Sequence, residues 1–244
     1  MSALAHQIEG HGIATTVIGL VRLHLEKAMP PRALFVPFQL GRPLGEPGDT
    51  AFQRKVLLAA LRLLERPAGA VIIEDFPTDA PGWREVPGWQ PPFALPQRPL
   101  PASHDVRAWS EALAAELMLV RPWQARAAAE RGRTSVGISQ QASVAWPDYA
   151  ATFLGGAMPL PPPGLPTAAL ALRFLADDLK AFYGEAAQLH SPYPASRQID
   201  RWFWSQTVAG ALLQELRRAG LASTDNALRT VAGRFLVPSP FVKA

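Results

Sequence analysis

The chain of 244 residues contains no cysteine. That absence excludes disulfides, a thiolate nucleophile and cysteine-ligated zinc or iron–sulfur clusters. Long apolar runs are missing too, the longest being about eight residues against the ~20 that a membrane helix needs. The opening MSALAHQIEGHG has no charged segment followed by an apolar one, so the sequence predicts no secretory signal and a cytoplasmic location. Charge of one sign is also scarce. The formal net charge is +4, and no Lys/Arg stripe with interleaved aromatics occurs, so nucleic acid is not an expected partner and neither is a membrane. His6, His11, His104 and His190 show no metal-ligand spacing, and the sequence calls for no metal and no cofactor.

What is present is a composition that folds. Hydrophobic residues make up 48% and charged residues 18%, which excludes wholesale disorder, and the length suits one or two domains. The 25 prolines gather mainly in two segments, 77–103 and Pro159–Pro166. The first cannot be a regular helix or central strand, and its Trp83 and Trp89 argue for an arm packed on the protein rather than a free linker.

Periodicity divides the rest. Residues 1–77 read as an α/β unit, 78–103 as the proline- and tryptophan-rich arm, and 104–244 as a mainly helical unit. In the first part, Ser2–Glu9 reads as a short helix. Ala14–Val21, Ala33–Phe38 and Ala70–Ile73 read as strands, the first two rich in β-branched or apolar residues. Asp49 opens a helix to Glu65, in which Phe52, Val56, Leu57, Ala60, Leu63 and Leu64 keep a near-3.6 period. Elements in the order helix, strand, short connection, strand, helix, strand predict a small, mostly parallel sheet with helices on its faces and the first two strands as neighbours. Further on, the pattern predicts helices over Val106–Glu130 (kinked or broken at Pro122), from Thr167 to about Gln188, from Ser196 to about Ala219, and from Asp225 to before Pro238.

Ligands of parallel sheets gather at the carboxyl ends of the strands. After the first strand come Arg22, His24 and Glu26; after the second come Gln39, Gly41, Arg42 and Gly45. Arg42 can grip a carboxylate bidentately together with the backbone around Gly45–Thr50 at the start of the helix that Asp49 opens, with Arg22 or His24 closing the other side. The competing reading makes the loop a plain turn, with Arg42 paired to Glu46. His24 is a candidate general base, though no Ser, Cys or metal-ligand set accompanies it. In the helical part, Asp178, Glu185, Arg197 and Trp204 either surround a cleft or subunit contact, or supply an ion pair or two that hold helices in register, with Trp204 packed against the arm. The second reading is favoured, because aromatics at helical spacing are usually core.

Two stretches carry a family resemblance. GHGIATTVIGLV (10–21) and VPFQLGRPLGEPGD (36–49), followed by FQRKVLLAALRLLE, resemble the carboxyl-terminal part of the glycine/sarcosine/betaine/D-proline reductase B-type subunits, which are selenoproteins. Pro37, Leu40, Gly41, Pro43, Leu44, Gly45 and Pro47 restate that family's loop, over about the first 77 residues. The resemblance implies an α/β unit that binds a small carboxylate or amino-acid-like ligand. In the family, cleavage of a C–N bond depends on a selenocysteine or cysteine upstream of the matched part, and this chain has neither. The expectation is therefore a reductase-B-like protein that serves as a subunit of, or accessory to, an oxidoreductase complex whose Cys- or Sec-bearing partner supplies the redox group. An autonomous enzyme with non-thiol chemistry, and a non-catalytic scaffold that retains the fold, are the alternatives.

Overall fold

A computed structural model describes residues 2–38, 40–66, 71–80, 85–97, 99–189 and 194–243. The chain divides into two compact units, Met1–Arg84 and Glu85–Ala244. The described part of the proline-rich arm is thus divided, with residues 78–80 in the first unit, where Ala80 joins the core, and the part from Glu85 on in the second. Gln39, Ala70, Trp83 and His190, named above, lie outside the described residues.

The first unit runs α1 (Ser2–Gly10), β1 (Val17–Gly19), α2 (Arg22–Ala28), β2 (Arg32–Phe35), α3 (Thr50–Arg62) and β3 (Ile72–Asp75), with a 3₁₀ turn Leu63–Glu65 extending α3. The strands form one sheet in the order β1-β2-β3. Both pairings are parallel, with Ile18 beside Leu34 and Ala33 beside Ile73. The first two strands are neighbours and parallel, as their composition predicts. They are shorter than expected, for local reasons. Thr15 gives its N–H and hydroxyl to Glu9, which holds that end of the segment to α1 rather than to the ladder. On β2 the ladder runs on to the Val36 N–H, which donates to the Gly19 carbonyl, and then stops at Pro37, which has no N–H to give. The third strand lies two residues later than expected at both ends of its described part.

Segment 22–28 corrects the expected short connection, because it is a helix. Only Leu25 of it is buried, so it leaves no apolar period to read. Helix α3 starts as its sequence dictates, with the Asp49 carboxylate accepting from the Phe52 N–H at 3.0 Å. Its inner residues Phe52, Val56, Ala60 and Leu63 pack on Leu34, Val36 and Phe38 of one sheet face, whereas Leu57 and Leu64, each one residue and so about 100° past an inner position, are exposed rather than part of the packed stripe. The rings of Phe38, Phe52 and Phe76 meet tilted or edge-on at 5.5–5.9 Å between centroids. Alternation along β1 turns Gly19 to the other face, where Leu25 packs so closely that a Cβ on Gly19 would lie 2.6 Å from its side chain.

The second unit is helical: α4 (Val106–Arg131), α5 (Trp146–Thr152), α6 (Ala168–Ala187), α7 (Ser196–Gln206), α8 (Val208–Ala222) and α9 (Asn226–Arg234). Thr167 and Asp225 cap α6 and α9 by accepting from Leu170 N and Leu228 N. Helix α4 continues through Pro122. Helix α5 was not read from the sequence. The single helix expected from Ser196 to about Ala219 is two helices. Thr207 separates them, accepting from Gly210 N while its hydroxyl donates to the Phe203 carbonyl. Ser196 is the first helical residue of α7 rather than its cap. The Gln198 side chain reaches back instead, accepting from Ala195 N. The core gathers Trp109, Leu113, Leu117, Trp146, Leu172, Leu175, Leu179, Tyr183, Leu212, Leu213 and Leu216, all essentially inaccessible to solvent.

Candidate functional site

Three parallel strands send the chain out at one edge of the sheet, and the residues singled out in the sequence follow β1 and β2. Arg22, at the start of α2, is already engaged. Its Nε donates to Glu26 at 2.9 Å, another guanidinium nitrogen pairs with Asp75 at the end of β3, and the group lies 5.8 Å from the Phe35 ring at the end of β2. One arginine thus spans from the end of β1 across β2 to β3. His24 lies exposed on α2, and Arg42 is exposed in the loop after β2. Among the described residues the Arg42 guanidinium has no acidic partner, so the ion pair with Glu46 is not formed. No contact among the described residues joins Arg42 to Arg22 or His24.

The loop itself is tied down by its backbone. Gly45 N donates to the Arg42 carbonyl at 3.0 Å, and Gln53 Nε2 donates to the Glu46 carbonyl at 2.9 Å. Gly45 is buried with φ +86°, and a Cβ there would lie 2.8 Å from the Phe52 ring, so both the backbone and the packing require glycine. Asp49 caps the Phe52 N–H and Thr50 N reaches the Gly48 carbonyl, which leaves few donors of that helix turn for a ligand. Asp49 also brings negative charge to the helix start. Any hold on an anion here therefore falls chiefly to the Arg42 side chain.

In the helical unit, Asp178 and Glu185 on α6 fasten the segment that follows α4. Asp178 is fully buried. It accepts from Gly137 N, Ile138 N and Ser139 N at 2.7–3.1 Å and from the Ser139 hydroxyl at 2.5 Å. Glu185 accepts from Ser135 N at 2.6 Å, Thr134 Oγ1 at 2.8 Å and Gln124 Nε2 at 2.9 Å. Most of these bonds go to a loop and one comes from Gln124 of α4, and among the described residues none is an ion pair between helices, which corrects the register reading in its detail. Trp204 is buried and stacks at 5.9 Å on Phe241 near the carboxyl end, not on the proline arm. Arg197 is exposed.

Sequence reasoning missed Glu116. It is buried in α4 and takes the Tyr183 hydroxyl at 2.7 Å, Val208 N at 2.9 Å and Ala209 N at 3.2 Å. Its carboxylate thus sits at the amino end of α8, where the helix dipole favours negative charge. Burial nevertheless pushes its pKa up, against the pull of those three donors. Burial likewise pushes the Tyr183 hydroxyl well up, and the neighbouring Glu116 adds to it. Nothing but its depth in the fold distinguishes Glu116 from a surface glutamate of an alanine-rich helix.

A shallow cleft of about 310 Å³ is lined by Trp89, Gln198, Arg201, Trp202, Ser205 and Gln206. Much of its polar lining is committed. The Gln198 side chain grips both the N–H and the carbonyl of Val86, and Arg201 pairs with Glu85 at 2.6 Å. Its lining residues include no acid–base pair. Among the described residues no cluster of His, Asp and Glu is arranged to hold a metal ion, and no helix is long and apolar enough to cross a membrane. Compared with protein-family models, curated proteins and solved structures, the chain finds no match.

Proposed function

We propose that this chain is a thiol-free, reductase-B-like binding protein that takes a small carboxylate-bearing ligand at the carboxyl edge of its parallel sheet. In this reading it works as a subunit of, or accessory to, an oxidoreductase complex in which a Cys- or Sec-bearing chain supplies the redox group. The observation that carries the reading is the state of the two arginines at that edge. Arg22 is spent on Asp75 and Glu26, whereas Arg42 stands exposed without an acidic partner on a loop whose backbone is fixed. A fixed loop lowers the entropic cost of presenting a guanidinium to a carboxylate.

Titration calorimetry with glycine, sarcosine, betaine and D-proline tests it. Arg42→Ala is expected to weaken binding roughly ten- to a hundredfold, the scale of a hydrogen bond to a charged group. Equal affinities for wild type and variant would reduce the loop to a turn.

A second reading, a non-catalytic scaffold, draws on the helical unit. Its buried carboxylates Glu116, Asp178 and Glu185 are each spent on holding backbone or hydroxyl donors. Binding of none of the four ligands would favour it.

A further inference from the structure

Helix α3 has two apolar sides, and only one is used. Opposite the core-facing Phe52, Val56, Ala60 and Leu63, four leucines face outward: Leu57 is 43% exposed, Leu58 42%, Leu61 52% and Leu64 36%. Arg54, Leu58, Leu61 and Glu65 follow one another at i, i+4, i+7 and i+11, which keeps them in a single line along the helix. Arg54 and Glu65, at its two ends, are exposed and have no ion-pair partner among the described residues.

This line is complementary to itself. Turned antiparallel about a two-fold axis at the level of Ala59 and Ala60, it sets Arg54 against the partner's Glu65 and Leu58 against the partner's Leu61, with Leu57 and Leu64 flanking the line. Each opposition occurs twice, as an isologous interface requires. A parallel pairing would instead oppose arginine to arginine and glutamate to glutamate. We propose that the outer face of α3 is the contact by which two copies of this chain dimerise, with the helices antiparallel and an Arg54–Glu65 pair closing each end of a leucine seam. One helix face is smaller than the roughly 800 Å² per partner of a stable interface, so the dimer should dissociate in about the micromolar range.

Sedimentation velocity over about 1–200 μM reads this directly. The wild-type mass should climb from 26.4 kDa toward twice that value. Leu61→Asp and Arg54→Glu should each raise the dissociation constant about tenfold or more, with circular dichroism confirming an unchanged fold. The reciprocal variant Arg54→Glu/Glu65→Arg, which restores opposite charges across the axis, should recover most of the wild-type affinity. A monomer at every concentration would overturn the proposal, as would a dimer indifferent to these substitutions or a charge exchange that fails to rescue. A monomer that co-floats with vesicles of anionic phospholipid would assign the face to a lipid surface instead, which also overturns it.

Discussion

The two units handle buried charge in opposite ways. In the α/β unit a charge below the surface meets an opposite charge: Arg32, only 4% exposed, reaches Glu9 at 2.6 Å and the Arg66 carbonyl at 3.2 Å. In the helical unit Glu116, Asp178 and Glu185 are buried with no cation bonded to them among the described residues, and N–H and O–H donors, mostly from a loop and a helix start, surround them. An ion pair fixes two side chains to each other. A carboxylate that collects backbone donors fixes the path of the chain. Asp178 decides where residues 137–139 go, and Glu116 decides where α8 begins. The sheet unit has a lesser need of such devices, because strand pairing already fixes its backbone.

The largest expected effect strikes the helical side of this contrast. Asp178→Ala strands the N–H and hydroxyl of the fully buried Ser139 and removes the acceptor of the Gly137 and Ile138 N–H groups, and should cost about 3 kcal/mol in chemical denaturation of the protein. Asp178→Asn keeps one acceptor and should fall between the two. A loss below about 1 kcal/mol for the alanine variant would mean that the loop does not depend on the carboxylate.

A second expectation separates the units by pH. Burial raises the pKa of Glu116, so the folded protein holds that proton more tightly than the unfolded chain. Its contribution to stability is fullest below the unfolded value, about 4.3, and is lost as pH rises through the raised folded value. Glu9 runs the other way. Burial opposes its charge, but bonds from Thr15 and Arg32 outweigh that and lower its pKa. Its contribution is present above about 4.3 and lost as pH falls through the lowered folded value. Urea melts of wild type against Glu116→Gln should show wild type gaining relative stability as pH drops from 7 toward 4.5. The same comparison with Glu9→Gln should stay flat there and fall only in stronger acid. Parallel pH profiles for the two variants would erase the contrast.

The smallest effect belongs to the sheet edge. Arg22 is 42% exposed at its side chain and Asp75 58%, so solvent screens the pair that spans the strands. Arg22→Ala should cost well under about 1 kcal/mol despite its two carboxylate partners. A larger loss in thermal unfolding would show that the pair holds β1 and β3 in place over Phe35.

Features set by local sequence were legible, and those set by tertiary partners were not. Asp49, Thr167 and Asp225 open helices because a capping side chain needs only the next three residues. The parallel pairing of β1 and β2 followed from strands with few polar interruptions. The break at Thr207 was hidden, because apolar residues continue on both sides at helical spacing. It exists because Thr207 caps α8, Glu116 from a distant helix takes the N–H groups of Val208 and Ala209, and Gly210 leaves room: a Cβ there would lie 2.3 Å from the Phe203 carbonyl. Around the candidate site, the positions of Arg22 and Arg42 after their strands could be read in advance. The capture of Arg22 by Asp75 could not, because the two lie 53 residues apart.

The grip of Gln198 on Val86 bears on proteolysis. A proline-rich stretch between two units looks like the natural place to cut the chain. Here, however, a side-chain amide holds the backbone of its described part as a neighbouring strand would. Beyond Val86, Trp89 meets Trp202 edge-on, and Phe93 lies between Trp123 and Trp202. A protease should therefore pass over residues 86–97. A helical fragment meant to stand alone should begin at Glu85, because one begun at His104 would take Trp89 and Phe93 away from the ring of Trp202 and Phe93 away from that of Trp123.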